Sequence, residues 1–105
     1  MVSYPITGAT PLRPGPTLQL SPNPFNPRTQ LIVSSPVLCE ARLEVRDLAG
    51  RSLGTLWSGT VDSAPLAVVW DGVDAAGRLL PSGAYLFTLD TTGQPPVVIR
   101  GTLLR

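Results

Sequence analysis

The chain of 105 residues contains no histidine, no lysine and a single cysteine, Cys39. Without histidine, and with one thiol, no Ser/His/Asp triad, Cys/His pair or zinc-binding set can be assembled from it. Charge is scarce as well. Only 14% of residues are charged and the net charge is +1, and the arginines are scattered, so nothing gathers nucleic acid or an anionic membrane surface. No run of 18 apolar residues is present, and the start lacks a charged region followed by an apolar one. The chain by itself is therefore expected neither to span a membrane as a helix nor to be exported through an N-terminal signal.

The acids are equally uninformative as catalysts. Asp62, Asp71 and Asp74 all fall in turn-like stretches, and "DGVDAAG" (71–77) lacks the further oxygen ligands and the closing glutamate of a calcium loop. Structural turn roles are expected for them, with no metal, no cofactor, no small-molecule substrate and no enzymatic activity.

Proline and glycine, by contrast, are plentiful, at 12 and 10 residues. Residues 1–16 carry four prolines without periodicity and read as a linker or irregular lead-in. From Thr17 onward, short apolar runs alternate with turn signals at a spacing near that of an all-β sandwich. Strands are predicted over 17–20, 29–35, 41–47, 51–57, 65–71, 83–90 and the chain end. This is an immunoglobulin-like β-sandwich of about seven antiparallel strands, occupying residues 17–105. In 41–47, Leu43 and Val45 face inward while Arg42, Glu44 and Arg46 form a solvated face. "DLAGR" (47–51) predicts a bulged hairpin, and the same turn chemistry in "DAAGR" (74–78) predicts a second one, joining 65–71 to 83–90.

Alternation places Leu66, Val68 and Trp70 in the core opposite Tyr85, Phe87 and Leu89, and Val97, Ile99 and Leu103 share one side of the last strand. Trp57, near a predicted turn, is the aromatic residue expected at the surface, where it could serve a glycan. Ile32, Leu86, Val98 and Leu104 fall on outer faces and are the candidate surface for a partner or for self-association. Within "SPNPFNPRTQL" (21–31), Pro22, Pro24 and Pro27 exclude a helix or a central strand and keep the first strand short and its edge closed to pairing.

Four stretches in order, "LSPNPFNPRTQLIVSSP", "ARLEVRDLAGRSLGTLWSG", "AVVWDGVDAAGRLLPSGAYLFTL" and "VVIRGTLLR", resemble the type A C-terminal sorting domains of bacterial type IX secretion. They also resemble the immunoglobulin-like domain of the flagellar hook-capping protein. The likeness covers residues 18–105. It implies signal residues at Pro22, Asn23, Pro24, Phe25, Asn26 and Pro27, at Gly83 and Tyr85, and at Leu103, Leu104 and Arg105. The final strand departs from the family at Gly101 and Thr102, where members usually carry a lysine and an apolar residue. The implied role is an address that takes a cargo through the periplasm and across the outer membrane to the cell surface, with the secretion translocon and a sortase as partners. A structural module of a flagellar cap or appendage, or a glycan- or protein-binding module, are the alternatives.

Overall fold

The computed structural model describes residues 15–105, so the lead-in expected over 1–16 lies outside the described residues except for Gly15 and Pro16. The described chain is all β. Its strands are β1 (Thr17–Ser21), β2 (Thr29–Ser34), β3 (Cys39–Arg46), β4 (Ser52–Val61), β5 (Leu66–Trp70), β6 (Gly83–Thr91) and β7 (Val97–Leu103). They form two antiparallel sheets, β1-β2-β5 and β4-β3-β6-β7. This is an immunoglobulin-like order with the fourth strand beside the third, in the C′ position.

Period-2 alternation explains the core. Leu31, Val33, Leu43, Val45, Phe87, Leu89 and Leu103 are fully buried between the sheets, and Leu18, Val68, Trp70 and Tyr85 join them. At the centre, the Trp70 ring meets Phe87, Phe25 and Tyr85 edge to face, with centroids 5.3, 5.8 and 6.0 Å away. Its indole N–H donates to the Val73 carbonyl at 2.9 Å, so the one polar atom of the ring is satisfied. Tyr85 completes a tyrosine corner: its hydroxyl donates to the Pro81 carbonyl at 2.6 Å, four residues upstream.

Both predicted turns form with one chemistry. Asp47 accepts the amides of Ala49 and Arg51, and Asp74 accepts those of Ala76 and Arg78. Gly50 and Gly77 take the positive φ each turn requires, 89° and 81°. The second turn does not close a hairpin, however. β5 pairs with β2 and β6 with β3 and β7, so residues 71–82 cross from one sheet to the other, and the turn closes only the bridge between Val73 and Leu79.

Three further expectations need correction. β4 runs to Val61, which places Trp57 in mid-strand opposite Leu43, half-buried against the core rather than exposed near a turn. Glu44 is 5% exposed although it points away from the core, because Arg42 and Arg46 on the same strand close over it at 3.1 and 2.6 Å. The proline segment does end β1 at Ser21, but the sheet edge it covers belongs to β7.

The aromatic cluster yields a direct test. Trp70→Ala should lower the unfolding free energy by about 3–5 kcal/mol in urea denaturation, through lost burial and an unfilled cavity. A midpoint matching wild type would place Trp70 outside the core.

Candidate functional site

Residues 22–27 leave β1 and run alongside the terminal strand. Phe25 forms a parallel bridge with Leu103, its amide donating to the Thr102 carbonyl at 2.9 Å and its carbonyl accepting the Leu104 amide at 2.8 Å. Two residues earlier, the Asn23 side chain acts as a short stretch of strand. Its oxygen accepts the Thr102 amide at 3.1 Å and its nitrogen donates to the Arg100 carbonyl at 3.4 Å. Together they cap the free edge of β7 over Arg100–Leu104. The Pro22 carbonyl is held by the buried Thr29 hydroxyl at 2.9 Å, anchoring the segment where β2 begins.

Pro24 and Asn26 stay exposed while Phe25 between them is 1% exposed, inserted against Trp70 and Phe87. Room for that ring comes from Gly101. A β-carbon there would collide with the Leu20 side chain and lie 2.9 Å from Phe87 and 3.3 Å from Phe25. Glycine at this position thus has a packing reason in this chain. A glycine inside a strand pattern is the sequence sign of such a close approach, and it is the signal that could have found Gly101.

The other residues that the resemblance singles out arrive at the same end. Gly83 pairs with Leu103 and Tyr85 with Gly101 across the β6–β7 ladder. Arg105 donates from its backbone to Ser82 Oγ at 2.8 Å, and from its guanidinium to the carbonyls of Leu80 and Gly72, each at 2.5 Å. Gly72 needs both its positive φ of 80° and its missing side chain, since a β-carbon would strike Arg105 and Leu103. Residues 22–27, 83–85 and 103–105, far apart in sequence, therefore make one structure. Leu103 is fully buried within it, whereas Leu104 is 47% exposed.

The outer-face apolar residues do not share one surface. Leu86 and Val98 are diagonal neighbours on the outer face of the four-stranded sheet, Ile32 lies on the outer face of the other sheet, and Leu104 follows β7 at the clamped end. Three of the aspartates serve turns: Asp62 accepts the Ala64 amide at 2.9 Å, and Asp47 and Asp74 are held below the ordinary carboxylate range, mainly by the amides of Arg51 and Arg78. At Tyr85, burial pushes the phenol up, with the Arg105 guanidinium partly opposing it.

No family model matches this chain, and no curated protein matches it. Among solved structures, the crystal structure of dimeric latent PorU from Porphyromonas gingivalis contains a similar sandwich, with a TM-score of 0.65 and 17% sequence identity. The match covers 83% of this chain and 9% of that one, so this chain corresponds in fold to a small part of a much longer polypeptide.

The clamp predicts coupled energetics. Phe25→Ala should cost about 3–5 kcal/mol and Gly101→Ala about 1–3 kcal/mol, measured by urea denaturation. The double variant should cost less than the sum by at least ~0.5 kcal/mol, because the space left by the Phe25 ring lets the Leu20 and Phe87 side chains, which a β-carbon at 101 meets first, move aside. Strict additivity would separate the two positions.

Alkaline pH supplies a second check. The folded state favours the neutral Tyr85 phenol. Its contribution to stability is complete below the unfolded value near 10 and is lost as pH rises through the higher folded value. Urea midpoints should therefore fall above pH ~10 in wild type, and fall less in Tyr85→Phe over the same window. Parallel pH profiles would remove Tyr85 from that dependence.

Proposed function

We propose that this domain is a sorting module of the type IX kind, which directs a cargo joined ahead of it across the outer membrane to the cell surface and performs no catalysis itself. The observation that carries the reading is the convergence of the three signal segments. The Pro-Asn-Pro-Phe segment, the Gly-x-Tyr element and the terminal Leu-Leu-Arg element meet through Phe25–Leu103, Gly83–Leu103 and Arg105–Ser82 contacts. A partner approaching this end would meet a folded surface rather than a loose tail. Support also comes from the sequence resemblance over residues 18–105, and from the occurrence of the same sandwich as a small part of a much longer chain. The partners on this reading are the secretion translocon and a sortase.

Within the terminal element the residues divide by burial. Leu103 belongs to the core, and Arg105 ties down the 72–82 crossing, so removing all three residues would damage the fold along with any address. Leu104 presents its side chain to solvent and is the residue to change.

The test fuses a reporter ahead of residues 1–105 in a type IX-competent host. The parent fusion should reach the cell surface. Leu104→Asp should melt within a few degrees of the parent, as an exposed substitution does, yet leave the reporter in the periplasm. Val69→Asp, at an exposed position on the other sheet, should be displayed like the parent. Equal display of all three fusions would reject the sorting role of the clamped end.

A further inference from the structure

Val37 and Leu38 stand apart from the other exposed apolar side chains, because the loop that presents them is tied down at its base. It runs from β2 to β3 as Ser35-Pro36-Val37-Leu38. Ser35 is buried, and its amide donates to the Asp62 carbonyl at 2.8 Å. Its hydroxyl donates to the Val37 carbonyl at 2.7 Å, accepts the Val37 amide at 3.3 Å and lies 3.6 Å from Cys39 Sγ. Yet Val37 is 52% exposed and Leu38 72%, with Pro36 exposed beside them. Single apolar residues in water are ordinary, but a fixed loop holding an adjacent pair there offers a surface to be covered.

The chain's own entry lies beside this loop. β1 is antiparallel to β2 with Thr17 opposite Ser34, and the two hydroxyls are 2.7 Å apart. The polypeptide therefore reaches Thr17 at the end of the sandwich from which Ser35 to Leu38 depart. Leu38 is four residues beyond Ser34 and Leu12 is five ahead of Thr17, spans of at most about 14 and 18 Å. Leu12 thus comes within reach of Leu38 without crossing the domain.

The sequence ahead of Thr17 suits that contact. Residues 1–12, MVSYPITGATPL, carry no charge, as the loop carries none. Tyr4, Ile6 and Leu12 all fall at even positions, which share one side of an extended chain. Pro5, Pro11 and Pro14 restrict the chain before it docks, so ordering it costs less than ordering an unrestricted linker of that length.

We propose that residues 4–12 lie back over the β2–β3 loop, with Ile6 and Leu12 covering Val37 and Leu38, so that this segment is a fixed part of the domain and not a free tether. β1 runs from the entry end to the clamped end, so a polypeptide joined ahead of the domain would leave it beside the loop, in a set direction, away from the clamp. The inference is independent of the sorting reading, because it uses neither the clamp nor Leu104.

Nuclear magnetic resonance on the full chain, residues 1–105, tests it. Methyl groups of Leu12 and Leu38 should show a direct nuclear Overhauser contact, and the amides of residues 6–12 should have order parameters near the ~0.85 of rigid backbone. Leu38→Asp, at an exposed position, should keep the strand resonances in place and drop those order parameters below ~0.6. Leu12→Asp, which touches nothing in the described sandwich, should release the segment in the same way. Val69→Asp, exposed on the outer face of the three-stranded sheet, should leave it rigid. Order parameters below ~0.6 in the parent chain overturn the proposal, and that is also the result expected if Val37 and Leu38 serve a second copy, another protein or a lipid surface. A segment that stays rigid in both aspartate variants, or that makes no contact with Val37 or Leu38, overturns it as well.

Discussion

The fold closes because Phe25 fits over Gly101. A two-sheet sandwich has an inner space that its own strands wall on two faces, and the side between β1 and β7 would be open without the 22–27 segment. One buried aromatic ring, two backbone hydrogen bonds and the Asn23 amide seal that side. The same ring touches Trp70 and Phe87, so the cluster that holds the two sheets together includes a residue from neither sheet. Fully burying an aromatic of this size is worth roughly 1.5–3 kcal/mol by transfer, more once packing is counted. The terminal strand is thereby held on both edges, by β6 and by the segment, although it ends two residues from the last position of the chain.

The division of charge between the sheets follows a similar economy. Among the described residues, all six charged strand residues, Glu40, Arg42, Glu44, Arg46, Asp90 and Arg100, lie in the four-stranded sheet, and the three-stranded sheet has none. Glu44 stands in the middle of the charged face, with Thr55 and Thr88 beside it on the neighbouring strands. Two arginines on its own strand complete its enclosure, and loss of either would leave a poorly solvated carboxylate with half its partners. The exposed ion pairs inside the two turns contribute little by comparison, since solvent screens them. What stabilises those turns is the set of backbone amides each aspartate accepts.

Much of this was legible beforehand, and the failures share a cause. Alternation in 41–47, 65–71 and 83–90 located the core because a strand with one buried face has a period of two, whatever its partner. The Asp-x-Ala-Gly-Arg turns were equally legible, since their hydrogen bonds are local. What local chemistry does not specify is which strand follows in space. The turn at 74–78 reverses the chain within a crossing and leaves β5 and β6 in different sheets. Glu44 was misjudged for the opposite reason: its side faces outward as the pattern says, but burial there comes from neighbours that a one-strand pattern does not contain. Arg105 and Asn23 make their contacts 23–33 and 77–79 residues away, beyond the reach of spacing arguments.

The clamp has a consequence for any reading of residues 22–27 and 101–105 as a signal. In a linear signal, residues are free to vary with the receptor alone, and the fold is indifferent to them. Here Phe25, Gly101 and Leu103 answer first to packing, and Asn23 and Arg105 to hydrogen bonding, so a change at any of them alters stability whether or not a receptor exists. Family likeness at such positions therefore testifies to the shared sandwich at least as strongly as to a shared partner. Side chains that the clamp leaves in solvent without a hydrogen bond, Pro22, Pro24, Asn26 and Leu104 among them, can carry information that the fold does not already require. A receptor specific for this end would have to distinguish modules by such residues, held in fixed relation by the buried residues between them.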